Sequence, residues 1–421
     1  MTTVRFIHCA DLHLDTPFKG LSHVTPEIGE TLRDATFSSF KNIVDLALHE
    51  RVDFVVVAGD VYDSSDRSLR AQFAFRDGLS RLANSGIPSF VAFGNHDPVS
   101  GWSNTLEWPE LVHRFETRNV DVRQLAREDT VIASIHGISF PKETVEEDLS
   151  ARFGTPPHGM PSIAVLHANV GSNTGHAPYS PTTVSNLTEK GFEYWALGHV
   201  HSHHVLRANG PCIVYPGCSQ SRHPNETGPK GCCLVTLSDS ANPDVRFVPT
   251  DVVRYRQERV DVSLCATVDG IQRTFTEACD TLAKEADGRY LILRLALAGR
   301  TPLQRELLHS DTHAGLEERL REDLLTRAPW IWLERLSLET RGSYDVQSLH
   351  GQQDFTGDIV REYTSLLEGG TDALTSLKTE IESDLRTWPG YRLLTEPSND
   401  ELRSLAERAM HETLDLTVDE D

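Results

Sequence analysis

The sequence predicts an α/β protein, with two sheets stacked as a sandwich and flanked by helices, followed by a small α+β domain and a helical tail. Three observations carry that expectation. Short, bulky apolar runs in the first 200 residues each stop abruptly at Gly, Asp, His or Asn, as buried parallel strands do where they empty into loops. Helix-periodic stretches lie between them, of the kind that parallel strands need as crossovers. Beyond residue 100 the strands shorten, with Pro and Gly between them, which suits a second, mixed sheet packed on the first.

The runs follow in order. Val4 to His8 leads to Asp11-Leu12-His13, and Phe54 to Ala58 leads to Gly59-Asp60-Val61-Tyr62-Asp63. Ile87 to Phe93 leads to Gly94-Asn95-His96-Asp97, Ile163 to Leu166 delivers His167, and Tyr194 to Leu197 leads to Gly198-His199-Val200-His201. Between the first three, Glu27 to Arg51 and Ser68 to Asn84 carry apolar residues at helical spacing, the former with a break expected near its serine pair. Val131 to Ile135, Ile213 to Tyr215 and Cys232 to Leu237 are the shorter strands.

Around Pro249 to Arg259 the organisation changes. Arg259 to Val262, Tyr290 to Leu295 and Trp330 to Leu333 read as strands, with Val268 to Ala286 and Leu303 to Arg327 as helices, the second broken around His309 to Gly315. From Asp354 the chain is helical and acidic, with apolar stripes at Phe355, Ile359, Tyr363, Leu366 and Leu367 and again at Leu374, Leu377, Ile381 and Leu385. A last helix from Asp400 to Leu416 precedes the acidic terminus Asp419-Glu420-Asp421. These shifts divide the chain into residues 1–250, an α/β domain, 251–345, a capping α+β domain, and 346–421, an acidic tail whose stripes need either their own domain or a partner surface.

Composition narrows the function classes. With 421 residues, 38% of them hydrophobic, the chain suffices for two or three cores, and it has no apolar run long enough to span a membrane. Seven scattered cysteines form neither a disulfide framework nor a C-x-x-C zinc pattern, and no signal peptide is evident, so a cytoplasmic location is expected. The formal net charge of −22 argues against a protein that is basic all over, but half of it, −11, sits in residues 350–421. A local positive track elsewhere stays open.

The clusters at the strand ends point to a bound metal centre. Asp, His and Asn offer oxygen and imidazole ligands suited to Mn, Fe or Zn more than to the all-oxygen shell of Mg or Ca. Two cations sharing a carboxylate can activate a water and clamp a phosphoryl group. Asp60 is the candidate bridge, with Asp11, His13, Asn95, His167, His199 and His201 as the other ligands. His96 then points at substrate, with Asp97 expected to orient its ring. Single histidines at strand ends are more often structural, the reading given to His8, His136, His203 and His204. Asp15 and Asp63 either bond ligand imidazoles or are solvated; Arg222 either contacts phosphate or is a surface arginine.

The ordered set Asp-x-His, Gly-Asp-x-x-Asp, Gly-Asn-His-Asp, a downstream His and Gly-His-x-His resembles the calcineurin-like metallophosphoesterase superfamily. The wording Ala10-Asp11-Leu12-His13-Leu14-Asp15 is similar to its DNA-repair exonuclease branch, the SbcD-like and YhaO-like proteins. The resemblance covers about residues 1–250 and implies a two-sheet metallophosphoesterase sandwich. It implies Asp11, His13, Asp60 and His201 on one Mn ion and Asp60, Asn95, His167 and His199 on the other, with Mg, Fe or Zn as alternative metals. It further implies that His96 assists departure of the sugar oxygen. Asp63 stands where some relatives place a second histidine. As partners it implies DNA, a second copy of the chain, and an SbcC-like ATPase held by the C-terminal helices. The expected activity is that of a DNA exonuclease or endonuclease. The competing readings are a phosphoesterase acting on a small-molecule phosphodiester or a phosphoprotein, and a DNA-binding scaffold of low turnover.

Overall fold

The computed structural model describes residues 3–18, 21, 25–63, 68–99, 106–171, 178–238, 241–385, 388 and 397–418. The terminus Asp419 to Asp421 lies outside the described residues. Two compact units emerge, Met1–Arg256 with Gly288–Ile292, and Gln257–Asp287 with Leu293–Asp421. No helix among the described residues is long and apolar enough to cross a membrane.

The first unit is a sandwich of two six-stranded sheets. Its strands are β1 (Thr3–Cys9), β2 (Phe54–Ala58), β3 (Ser89–Ala92), β4 (Val112–Arg114), β5 (Asp121–Arg127), β6 (Thr130–Ile138), β7 (Ser162–His167), β8 (Tyr194–Gly198), β9 (His204–Arg207), β10 (Cys212–Tyr215), β11 (Gly231–Ser238) and β12 (Ala241–Pro249). One sheet runs β12-β11-β1-β2-β3-β4 and the other β5-β6-β7-β8-β10-β9. The centre of each is parallel, β1 through β4 in one and β6-β7-β8-β10 in the other, and antiparallel strands close β11-β12, β5 and β9 onto the edges. Both sheets are therefore mixed, where only the second is expected to be, because Cys232 to Leu237 falls in β11 and pairs antiparallel with β1 of the first sheet.

The strands are apolar on both faces because both faces are covered. Phe6, Phe54, Val56, Phe90, Ile135, Val165 and Tyr194 fill the layer between the sheets. Ile7, Val55, Val57 and Val91 meet Phe40, Val44, Phe75 and Leu79 of helices α1 (Pro26–Glu50) and α2 (Leu69–Asn84) on the outside. The break expected in α1 at its serine pair does not occur. Ser39 is buried and its hydroxyl donates to the Ser219 carbonyl at 2.7 Å, so it serves as a packing residue and leaves the helix ladder intact. The outer face of the second sheet buries Phe153, Phe192 and Trp195 near the short helix α3 (Val184–Glu189).

The second unit is built on a three-stranded sheet ordered β13 (Val253–Asp261), β14 (Tyr290–Arg300) and β15 (Ile331–Arg341), and it takes in most of the first two strands. Its helices are α4 (Val268–Ala286), α5 (Gln304–Leu308), α6 (Ser310–Leu325), α7 (Val346–His350), α8 (Phe355–Glu368), α9 (Gly370–Leu385) and α10 (Asn399–Thr417). The break between α5 and α6 is confined to His309. Leu349, Val360, Met410 and Leu414 form a core in which α7, α8 and α10 meet. The tail helices thus share a unit with the three-stranded sheet.

Candidate metal centre

Every expected ligand sits at or just beyond the carboxyl end of a central strand, His167 as the last residue of β7 and the others on the loops that follow, where α/β sheets bind ligands. The first two loops are zipped together. The amides of Asp11, His13 and Leu14 donate to the carbonyls of Gly59, Asp60 and Val61 at 3.0, 3.1 and 2.9 Å. Within this bonding Asp11, His13 and Asp60 hold a costly backbone shape, with φ of 50°, 43° and 52°, and His199 on the loop after β8 has φ of 104°. Left-handed backbone at residues other than Gly costs on the order of 1–2 kcal/mol each and concentrates at functional sites.

His167 lies at the middle of the cluster. Its Nδ1–H donates to the Ala58 carbonyl at 2.9 Å, which leaves Nε2 facing Asn95 Oδ1 at 3.0 Å and Asp60 Oδ2 at 3.4 Å. Three glycines make room for this ring. A Cβ at Gly59 would fall 2.4 Å from its Nδ1, one at Gly94 2.8 Å from its Nε2, and one at Gly198 1.9 Å from the Ala58 carbonyl that it bonds. Burial disfavours a charged His167, but the Asp60 carboxylate outweighs it and lifts the ring to about 9. That is the strongly negative field that a cation would read.

Asp60 Oδ2 also lies 3.9 Å from His13 Nε2, while Oδ1 accepts the His96 amide at 2.9 Å. One carboxylate oxygen thus stands between imidazoles assigned to different cations, as a bridge requires. Ligand-type atoms of Asp11, His13 and His201 converge within 4.8 Å of one another, and so do those of Asp11, Asp60 and His167. Asp11 is common to both groups, and Asp60, which lies between His13 and His167, belongs to the second. The His199 amide donates to both Asp11 oxygens at 3.1 Å, and the His199 ring lies beside that of His167, centroids 5.2 Å apart.

The donor set fits a pair of divalent cations. Both ring nitrogens of His13 are buried without a hydrogen-bond partner, an expensive state for an imidazole unless a cation takes one of them. Asp11 and Asp60 are almost fully buried carboxylates facing imidazole nitrogens, the arrangement of a metal site.

Two orienting roles differ from expectation. Asp97 accepts the amides of Gly94 at 2.8 Å, Val61 at 2.6 Å and Tyr62 at 3.3 Å, and so ties the loop after β3 to the loop after β2. Asp63 partners His96 in its place, with Oδ1 2.6 Å from His96 Nδ1. The reason is reach: three short backbone bonds hold the Asp97 carboxylate beneath its own loop, whereas Asp63 faces the half-exposed ring. Burial works against a charged His96, yet the bond to Asp63 and the charges of Asp60, Asp63 and Asp97 prevail and raise it to about 9. Asp15 meets neither a ligand ring nor open solvent alone. It accepts from Ser68, the N-cap of α2, and lies 3.6 Å from Arg70.

Arg222 is no surface arginine. Its side chain is 11% exposed, Nη1 lies 3.9 Å from Asp63 Oδ2, and Nε has no hydrogen-bond partner. Glu226, which the sequence reading missed, has Oε1 2.7 Å from His201 Nδ1. Of the histidines read as structural, His8 bonds Tyr194 and Leu197, His136 faces Ser134 and His203 stacks on Phe247, whereas His204 is exposed on β9.

The calcineurin-like phosphoesterase family model matches residues 4–203, and the model of the middle domain of metallophosphoesterase YhaO matches residues 255–341. The uncharacterized metallophosphoesterase YhaO of Bacillus subtilis is 35% identical over 351 residues, 83% of this chain and 85% of that protein. This chain belongs to the YhaO family of metallophosphoesterases. Such similarity makes it a hydrolase of phosphate esters and gives its clustered Asp and His residues the context of a dinuclear metal site. The YhaO-type chain is also similar to two proteins named DNA double-strand break repair protein Mre11. That of Sulfolobus acidocaldarius is 21% identical over 388 residues, 90% of this chain and 94% of that one. That of Sulfurisphaera tokodaii is 26% identical over 220 residues, 51% of this chain and 53% of that one.

Proposed function

We propose that this metallophosphoesterase is a Mn-dependent DNA nuclease acting in DNA repair. The observation that carries the reading is His96, a half-exposed imidazole beside the cluster yet outside its ligand set, bonded through Nδ1 to Asp63. A phosphodiester whose leaving group is a sugar alkoxide needs a proton donor, and His96 offers Nε2–H on the open side. The substrate class is supported by the likeness to the two Mre11 repair proteins, one of which extends over most of both chains.

The ligands divide as Asp11, His13, Asp60 and His201 for one cation and Asp60, Asn95, His167 and His199 for the other. When bound, the pair supplies Lewis-acid charge that lowers the pKa of an attacking water and neutralises phosphoryl oxygens. The remaining work falls to the chain. Asp63 holds His96 upright and charged, His96 hands its proton to the departing sugar oxygen, and Arg222 pairs with a non-bridging oxygen of the phosphate.

In the same reading the protein acts as a dimer in the cytoplasm, with an SbcC-like ATPase docked on its tail. A groove of about 1380 Å³ between α8, α9 and α10, lined by Leu366, Leu377, Ile381, Leu402 and Leu405 and bordered by charges of both signs, Glu362, Glu380 and Glu412 with Lys378 and Arg408, supports an apolar helical partner.

The test is release of nucleotides from linear duplex DNA with Mn²⁺, assayed with and without the ATPase. Activity that disappears in His96→Ala while cation content is retained supports the reading. Hydrolysis of bis-p-nitrophenyl phosphate with none on any DNA, partner present or absent, moves the assignment to a small-molecule phosphodiesterase.

A further inference from the structure

The loop after β10 folds back onto the residues that carry His201. At Gly217, φ is +79°, and a Cβ would lie 2.8 Å from the His203 amide nitrogen and 2.9 Å from the His201 carbonyl oxygen, so only glycine permits this approach. The His201 carbonyl accepts from the Cys218 amide and from the Lys230 ammonium, both at 3.2 Å, and Lys230 is itself buried. The backbone of His201 is therefore held from one side by both ends of a single loop.

The same loop also grips the ring. Glu226 Oε1 receives Nδ1 of His201 at 2.7 Å, and Oε2 accepts the amides of Arg222 at 2.8 Å and His223 at 3.2 Å. The Glu226 amide donates to the His223 carbonyl at 2.9 Å and its carbonyl accepts the Ser221 hydroxyl at 2.6 Å, which closes the turn on its own carboxylate. A carboxylate so fully engaged is not a ligand in waiting, although Glu226, Cys218 and His201 lie close enough to suggest one. Its two oxygens already have donors, and Cys218 is buried.

We propose that Glu226 is a positioning residue of the metal centre. By accepting Nδ1–H it fixes the tautomer and the angle of His201, turns Nε2 toward Asp11 and His13, and thereby sets the affinity of one of the two cation sites. The inference rests on the dinuclear reading of the cluster. It acts through the carboxylate charge as well as its shape. In Glu226→Gln the amide group must face either the His201 Nδ1–H or the two backbone amides, so one donor opposes another unless the ring takes the Nε2–H tautomer.

Two measurements on the full chain test this. Calorimetric titration of the metal-free protein with Mn²⁺ alone is expected to show two cations per chain in the wild type; in Glu226→Gln one site keeps its affinity and the other weakens about 10- to 100-fold. Long-range ¹⁵N–¹H spectra of the histidine-labelled, metal-free protein are expected to place His201 in the Nδ1–H tautomer. His201→Gln assigns that signal, and Glu226→Gln converts it to a mixture. Wild-type affinity at both sites in Glu226→Gln, or an Nε2–H tautomer at His201 in the wild type, overturns the role of Glu226 and leaves the metal reading standing. The wild-type spectrum decides even if the variant does not fold. A wild type that takes up no cation removes the metal reading itself.

Discussion

Asp60 in the first unit and Asp415 in the second are both buried carboxylates, and they are surrounded in opposite ways. Asp415 is closed by neutral donors: the Gly342 amide and the Tyr344 hydroxyl at 2.8 Å each on Oδ1, and the Gln304 amide group at 3.0 Å on Oδ2. It ties α10 to the end of β15 and to α5. Asp60 has one backbone donor, and its other oxygen faces imidazole nitrogens that are ligand atoms themselves, with the Asp11 carboxylate nearby. A carboxylate whose lone pairs are filled by the chain holds the fold together. One left facing other ligands is arranged for a cation, and the fold tolerates it.

The contrast predicts that substitutions around Asp60 alter chemistry whereas those around Asp415 alter stability. The largest expected effect is His96→Ala, which lowers phosphodiester hydrolysis by about 10²- to 10⁴-fold with cation content unchanged, read by steady-state kinetics and metal analysis. Asp415→Ala comes next. Two buried donors lose their acceptor and the half-buried Tyr344 hydroxyl keeps only His411, so denaturant unfolding should show a loss of about 2–3 kcal/mol while Mn²⁺ uptake persists. A loss under about 0.5 kcal/mol, the size of an ordinary surface change, would mean that Asp415 is not a latch.

Mn²⁺ at a hundred times its dissociation constant should stabilise the wild type by about 2.7 kcal/mol per site, measured by the same unfolding curves. Asp415→Ala should keep that increment. The smallest effect is the most diagnostic in sign. Burial is the chief force raising the Asp11 carboxyl above its usual range, with Asp60 adding to it against the pull of His167 and His201. Asp11→Asn should therefore stabilise the metal-free protein by about 1 kcal/mol while costing it a cation, the reverse of what is expected at Asp415. A destabilised Asp11→Asn protein would erase the distinction.

The ligand loops were legible because a strand's apolar run and the polar cluster at its end are contiguous in sequence, so the five sheet ends could be named before their convergence was seen. Partners that meet through loop geometry were harder. His96 was paired with its neighbour Asp97, but the backbone bonds to Gly94, Val61 and Tyr62 hold that carboxylate down, and Asp63 meets the ring instead. Glu226 lies 25 residues from His201 in a turn rich in Pro, Asn and Gly, and only the fold-back at Gly217 brings the two together. A lone carboxylate in such a turn, four residues after an arginine, was the available signal. Ser39 looked like a helix break because serine disfavours helix interiors, yet its tertiary bond to Ser219 overrides that propensity. The edge strands β5 and β9 escaped notice since their exposed faces carry charged and polar residues in place of an apolar run.

The central claim is that the loops of the first unit hold two cations around Asp60. Mn²⁺ bound per chain, counted by elemental analysis after equilibrium dialysis of the wild type and Asp60→Ala, tests it most directly. The account predicts two for the wild type and fewer than one for the variant, since each cation loses a shared ligand. A wild type that binds none, or an Asp60→Ala protein that still binds both, would contradict it.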